Sequence, residues 1–180
     1  YIFPFEYDFD SDVGPYYGKR HTLTIEPVLP VNLGSDWKVI IRTVIPLIHQ
    51  HDVTSDSSTQ SGIGDIEQSY FFAPQKSEGV IWGVGPIINI PIGSDEFSTK
   101  KWALGPAALA VIQKESWTYG VLAEQMWSVG GEGDKDINMT MIQPFLAYHI
   151  KGGWTVSGNM DASYDWVDDE WSIPVEAGVS

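Results

Sequence analysis

An all-β, antiparallel up-and-down fold is what this chain predicts, and three features carry the prediction. Polar and apolar side chains alternate with a period of two over segment after segment. Gly, Pro, Asp and Ser gather between those segments, as they do at turns. No stretch keeps the 3.6-residue period of a long amphipathic helix. The 180 residues suffice for one domain, 1–180, and no shift in composition divides them.

Taken in order, Tyr1–Asp10 sets Tyr1, Phe3, Phe5, Tyr7 and Phe9 against Glu6, Asp8 and Asp10, a strand with one aromatic face. Ser11–Arg20 follows as a loop. His21–Leu33 places Leu23, Ile25, Pro27, Leu29, Val31 and Leu33 opposite Thr22, Thr24, Glu26 and Asn32. Gly34-Ser35-Asp36 is a tight turn. Trp37–Gln50 returns, with Trp37, Val39, Ile41, Thr43, Ile45 and Leu47 opposite Lys38 and Arg42, and His51–Ser61 is a polar loop. Strands follow over Gly62–Ala73, Val80–Ile92, Trp102–Lys114, Trp117–Ser128, Ile137–His149, Trp154–Trp166 and Trp171–Ser180. That makes about ten strands, of the half-buried period-two kind.

Trp154–Trp166 shows the pattern best. Thr155, Ser157, Asn159, Asp161, Ser163 and Asp165 form one wall, and Trp154, Val156, Gly158, Met160, Ala162, Tyr164 and Trp166 the other. At about 3.3 Å per residue the segment spans roughly 40 Å, about twice an ordinary soluble strand. Tilted by about 45°, it covers the apolar thickness of a bilayer.

The tryptophans fall into two rows. Trp37, Trp82, Trp117 and Trp154 follow short turns; Trp102, Trp127, Trp166 and Trp171 lie at the end of the longer loops, although Val167–Glu170, between the last two, is short and acidic. Indole favours a membrane interface because its ring is apolar and its N–H wants a wet partner. Short turns at one end and long loops at the other are the asymmetry of an outer-membrane barrel. The fold expected is therefore a transmembrane β-barrel, with the eight tryptophans as its interface girdle. Pro27, Pro30, Pro46, Pro86, Pro91, Pro106, Pro144 and Pro174 fall inside these strands and cannot donate to a ladder, so bulges or strand ends are expected there.

Composition excludes several alternatives. Lys and Arg number 10 against 24 Asp and Glu, a net charge of −14, which repels nucleic acid phosphates. Cysteine is absent, so there is no disulfide framework and no thiol chemistry. The uncharged run Gly79–Ser94 is broken by prolines and glycines and is too short for a membrane helix.

The strings WKVIIRTVIPLI, GIGDIEQSYFFAP, VIWGVGPIINIPIG, KWALGPAALAVI, SWTYGVLAEQMWS, MIQPFLAYH, ASYDW and WSIPVEAGVS, in that order, resemble the outer-membrane proteins named after the meta-pathway of phenol degradation. The likeness covers nearly the whole chain, with GDIEQSYFFAP and IWGVGPI its most specific blocks. It implies a barrel in a bacterial outer membrane, in contact with the lipid bilayer and lipopolysaccharide, that passes small, aromatic or hydrophobic molecules and is open to homo-oligomerisation. It also implies twelve strands in the intact protein, with this chain truncated at one or both ends. No cofactor is implied.

Inside such a barrel the lining is Glu6, Glu26, Lys38, Arg42, Asp65, Glu67, Asn89, Glu124, Asn138, Asn159, Asp161, Asp165 and Glu176. Two readings follow. Carboxylates outnumber cations, so the lumen is a conduit that disfavours anions. Alternatively, Arg42 and Lys38 pair with Glu26, Asp65, Glu67 or Glu124 and plug a narrow barrel, whose role is then structural or interactive. A soluble lipocalin-like binder shows the same alternation with its faces reversed.

His49 and His51 with Asp52 and Asp56 have metal-like spacing but read as a solvated loop, and no metal is expected. Asp8–Gly14 has its glycine one place late for a calcium loop. Ser69, Ser163 and the four histidines form no catalytic motif, so no enzyme is expected.

Overall fold

In the computed structural model, which describes residues 3–150 and 152–179, fourteen strands form one antiparallel sheet, with no helix among the described residues. They are β1 (Phe5–Val13), β2 (Gly18–Ile25), β3 (Val28–Leu33), β4 (Trp37–His51), β5 (Thr59–Ile63), β6 (Ile66–Pro74) and β7 (Val80–Ile90). There follow β8 (Lys101–Lys114), β9 (Trp117–Gly131), β10 (Asn138–Ile150), β11 (Trp154–Met160), β12 (Ala162–Asp165), β13 (Glu170–Ser172) and β14 (Val175–Val179). Tyr1, Ile2, Lys151 and Ser180, assigned to strand ends and a turn from sequence, lie outside the described residues.

The main path is β1-β2-β4-β6-β7-β8-β9-β10-β11-β14, an up-and-down meander with ten places. The other segments continue strands rather than add to them. β2 and β3 pair with β4 in one register, Ile25 opposite Ile45 and Val28 opposite Arg42, interrupted at Glu26-Pro27. β11 and β12 keep one register along β10 across Asp161. β14 and β13 keep one register along β11 and β12 across Ile173-Pro174. Only β5 and β6 are offset on β4, by one residue at Gly64-Asp65.

The first expected loop, Ser11–Arg20, is a correction. Asp10 pairs with Arg20 and Ser11 with Lys19, so opposite charges face each other and the ladder runs on to a four-residue turn, 14–17. β9 likewise continues to Gly131, three residues beyond the expected strand end at Ser128.

The prolines have local consequences. Pro27 and Pro174 sit in the strand breaks, and β7 ends just before Pro91. Pro86 and Pro106 oppose each other across β7 and β8. On their outer sides the registers lapse: Tyr70 and Phe71 lack partners on β7, and Gly105 and Pro106 lack partners on β9. A Cβ on Gly85 would stand 1.7 Å from the Tyr70 carbonyl oxygen, and one on Gly105 1.6 Å from that of Gln125, so only glycine fits at either place. Pro30, Pro46 and Pro144 stay within paired strands.

The two faces differ sharply. Phe71, Ile87, Ala103, Ala107, Leu122 and Met126 form a core that is 0–4% exposed, and Ile40, Leu109, Ile137, Met139 and Met141 pack against it. These residues occupy the face opposite the tryptophans. That face is concave, because Ser69 on β6 hydrogen-bonds Glu124 on β9 with β7 and β8 lying between them. At the sheet's two ends the carboxylate oxygens of Glu6, Asp8 and Glu176 come within 4.8 Å of one another. No register joins β1 to β14 among the described residues, so the sheet is curled but not closed.

Candidate functional site

Cross-strand partners share a face, so the registers place each side chain. All eight tryptophans are 41–66% exposed on the convex face. Trp37 meets Trp82 edge-on at 6.2 Å between centroids, at the short-turn end. Trp117 packs on Tyr148 at 4.6 Å at that same end. At the long-loop end Tyr164 packs against Trp166 and Trp171, each at 4.8 Å.

Lys38, Arg42, Glu67, Asn89, Glu124, Asn159, Asp165 and Glu176 lie on the concave face by register, and Glu26 and Asp161 join them there through contacts with Arg42 and Asn159. Asn138 does not. It stands directly opposite Trp127 and therefore faces the same way. The apolar outward pairs further down that ladder, Leu146 with Tyr119 and Tyr148 with Trp117, fix the register and leave Asn138 no choice. Its side-chain oxygen accepts from Gln125 Nε2 at 3.0 Å. Gln125 also binds Thr140, which accepts from Trp166 Nε1 at 2.8 Å. A polar island thus sits on the tryptophan face.

Halfway along the concave face lies a charged layer. Arg42 Nη2 donates to both Glu26 oxygens, at 3.0 and 3.1 Å. Ser69 Oγ donates to Glu124 Oε1 at 2.8 Å. Glu124 is 3% exposed, and its Oε2 is buried without a partner. Glu67 stands beside this layer, opposite Val44 on one side and Asn89 on the other. Of these three carboxylates only Glu26 is bonded to the guanidinium; Glu67 and Glu124 feel its charge without touching it, next to the apolar core. In surroundings this poor in water, uncompensated negative charge is costly and attracts cations.

Asp65 sits in the break between β5 and β6 rather than in this layer. Its oxygens accept from the Gly93 N–H at 3.2 Å, the Thr99 N–H at 2.7 Å and the Thr99 hydroxyl at 2.6 Å, pinning the loop 91–100 to the sheet. Asn159 Nδ2 donates to Glu176 at 2.9 Å and, more weakly, to Asp161 at 3.4 Å. Those two contacts tie the last strands together on the concave side.

Above the charged layer, at the long-loop end, the concave face opens into a cavity of about 500 Å³. Glu67, Asn89, Met126 and Met139 form its inner wall; Ser98, Thr99 and residues 134–137 overhang it. Its rim is laced by ion pairs. Lys101 Nζ and Ser128 Oγ donate to Asp136 at 3.1 and 3.2 Å, and these bonds hold the Asp136 carboxyl below its ordinary value. Lys135 Nζ bridges Asp168 and Asp165, the latter at 2.9 Å, which pushes its ammonium above the usual lysine value. Lys101, Ser128, Lys135 and Asp136 are not among the expected lining; Lys101, Lys135 and Asp136 fall in expected loops, and Ser128 at the expected end of a strand.

The histidines resolve differently from their spacing. His49 lies within β4, and His51, expected to open a loop, is its last residue. His49 Nδ1 lies 2.6 Å from Ser61 Oγ, and His51 lies 2.6 Å from Asp52. His21 Nδ1 lies 2.6 Å from the Tyr7 hydroxyl. No protein-family model, no curated protein and no solved structure matches this chain.

Proposed function

We propose that the chain forms a β-barrel in a bacterial outer membrane and lets small molecules, aromatic or hydrophobic ones among them, pass passively. The single observation behind this is the division of faces: eight exposed tryptophans at the two ends of the convex side, and ionised groups on the concave side. A soluble sheet of this size would expose its charges and bury its indoles. The resemblance to the phenol-degradation meta-pathway family supports the same reading. On this reading Glu26, Lys38, Arg42, Asp65, Glu67, Glu124, Asn159, Asp161, Asp165 and Glu176 line or border the lumen, lipid and lipopolysaccharide cover the tryptophan girdle, and the barrel closes along the line where Glu6 and Glu176 already approach. The Arg42 layer and the core around Phe71 are then the barrier that a solute has to displace.

Planar-bilayer recording tests the proposal. Discrete conductance steps, or solute uptake by loaded vesicles, support it; a folded, inserted protein that admits neither current nor solute opposes it. That second result would favour a permanently closed structural or interaction barrel. The specific observation on its side is the core of residues 0–4% exposed spanning the concave face.

A further inference from the structure

The 500 Å³ cavity at the long-loop end has a lining that selects one class of ligand. We infer that it binds small organic cations: a protonated amine carried on an apolar, single-ring-sized body. The inference rests on the barrel reading only in that the cavity would be its outer mouth.

Three observations converge. Met126, Ile137 and Met139 supply an apolar wall, and thioether and branched aliphatic groups suit an aromatic or aliphatic body. The charged lining is Glu67, Asp134, Asp136, Asp165 and Lys135; with Asp136 and Asp165 ion-paired to Lys101 and Lys135, Glu67 and Asp134 are the carboxylates left over. The cations at the rim are already engaged, Lys135 by Asp165 and Asp168 and Lys101 by Asp136, so none is left over to receive an anion.

The inner end of the cavity then provides the recognition point. Glu67 and Asn89 are directly opposed across β6 and β7 and share the concave face. Asn89 is 4% exposed, and its Nδ2 donates to the Lys101 carbonyl at 2.9 Å, which leaves its Oδ1 as an acceptor. The nearest guanidinium, Arg42, has its Nη2 committed to Glu26. An ammonium placed there has a carboxylate and an amide oxygen to donate to. A carboxylate ligand would meet acceptors only at that point, beside Glu67 and Asp134, the two lining carboxylates outside the rim's ion pairs. The Glu124 oxygen without a partner, in the next layer inward, adds to the same negative potential.

The test uses the whole chain purified in detergent micelles. Isothermal titration compares 2-phenylethylamine, 2-phenylethanol and 3-phenylpropionate, which share a ring and differ in charge. The amine is expected to bind at least tenfold more tightly than the alcohol, with no measurable binding of the acid. Glu67→Gln is expected to abolish the preference for the amine while leaving the alcohol unaffected, and Glu67→Asp to keep it. Acid or alcohol binding as tight as the amine's overturns the inference, whatever the variants do. So does an unchanged amine affinity in a folded Glu67→Gln protein. Permeation is read separately, so the two proposals can fail independently: amine binding without conductance supports the site and removes the channel, and conductance without amine preference does the reverse.

Discussion

The middle and the edges of the sheet treat the same concave face in opposite ways. From β6 to β10 it carries Phe71, Ile87, Leu122 and Met126, which pack into a core a few per cent exposed. On the first and last strands it carries Glu6, Asp8 and Glu176, which approach within 4.8 Å although no register joins β1 to β14 among the described residues. Curvature is thus held by apolar contact in the middle and opposed by like charge at the seam. Where the sheet meets itself over methyl and aryl groups it is fixed; where it meets itself over carboxylates it stops short.

The comparison breaks most severely at its packed end. Phe71→Ala should cost about 3–5 kcal/mol, the usual loss for a buried aromatic replaced by alanine, read as a shift in the urea midpoint. A loss below about 1 kcal/mol would mean that the core does not hold the curl. Next comes the charged layer beside it. Arg42→Ala leaves Glu26 without its guanidinium, and about 3 kcal/mol is expected, at the low end for buried pairs because the two side chains keep 15% and 19% of their exposure. Removing Glu26 as well should restore part of that loss, and a double-mutant cycle measures how much.

At the seam the sign reverses. Glu176→Gln removes one of three crowded charges and should stabilise the protein by about 0.2–1 kcal/mol, the range for like charges facing each other across strands. A destabilised variant would show that the carboxylates attract something rather than repel each other. The smallest effect lies on the rim. Hydrogen bonds from Lys101 and Ser128 lower the Asp136 carboxyl from its ordinary 3.8, so its contribution is fully present above that value. It is lost as pH falls through the lower value of the folded protein. The stability difference between the native chain and Asp136→Asn should therefore be constant from pH 7 to about 5 and shrink below about 4. A difference that grows on acidification would contradict this assignment.

Strand positions and faces were legible because a period of two leaves each residue only two directions. Trp37, Trp154 and Arg42 stand where alternation put them. The packed interior was not legible, because β6 presents Glu67, Ser69, Phe71 and Ala73 on one face and Gln68, Tyr70 and Phe72 on the other, so neither face reads as the oily one. Nor could spacing reveal that Ser69 meets Glu124, 55 residues away, since that contact depends on how tightly three intervening ladders curl. Asn138 was assigned to the wrong side for a related reason. A polar residue at the end of a strand was counted as inward, whereas its register opposite Trp127 turns it outward into a polar island. The loop at the first hairpin was overestimated because Asp10, Ser11, Lys19 and Arg20 look like loop residues and are in fact paired across it.

A sheet that spans a bilayer must have lipid, not water, around its convex face. The protein should be reconstituted in vesicles whose acyl chains carry bromine, and its tryptophan emission compared with that in unlabelled lipid. With all eight indoles turned outward, most of the emission should be quenched by the bromines and little by acrylamide in the water. Emission insensitive to brominated chains, from a protein that stays folded and monodisperse without detergent, would contradict it.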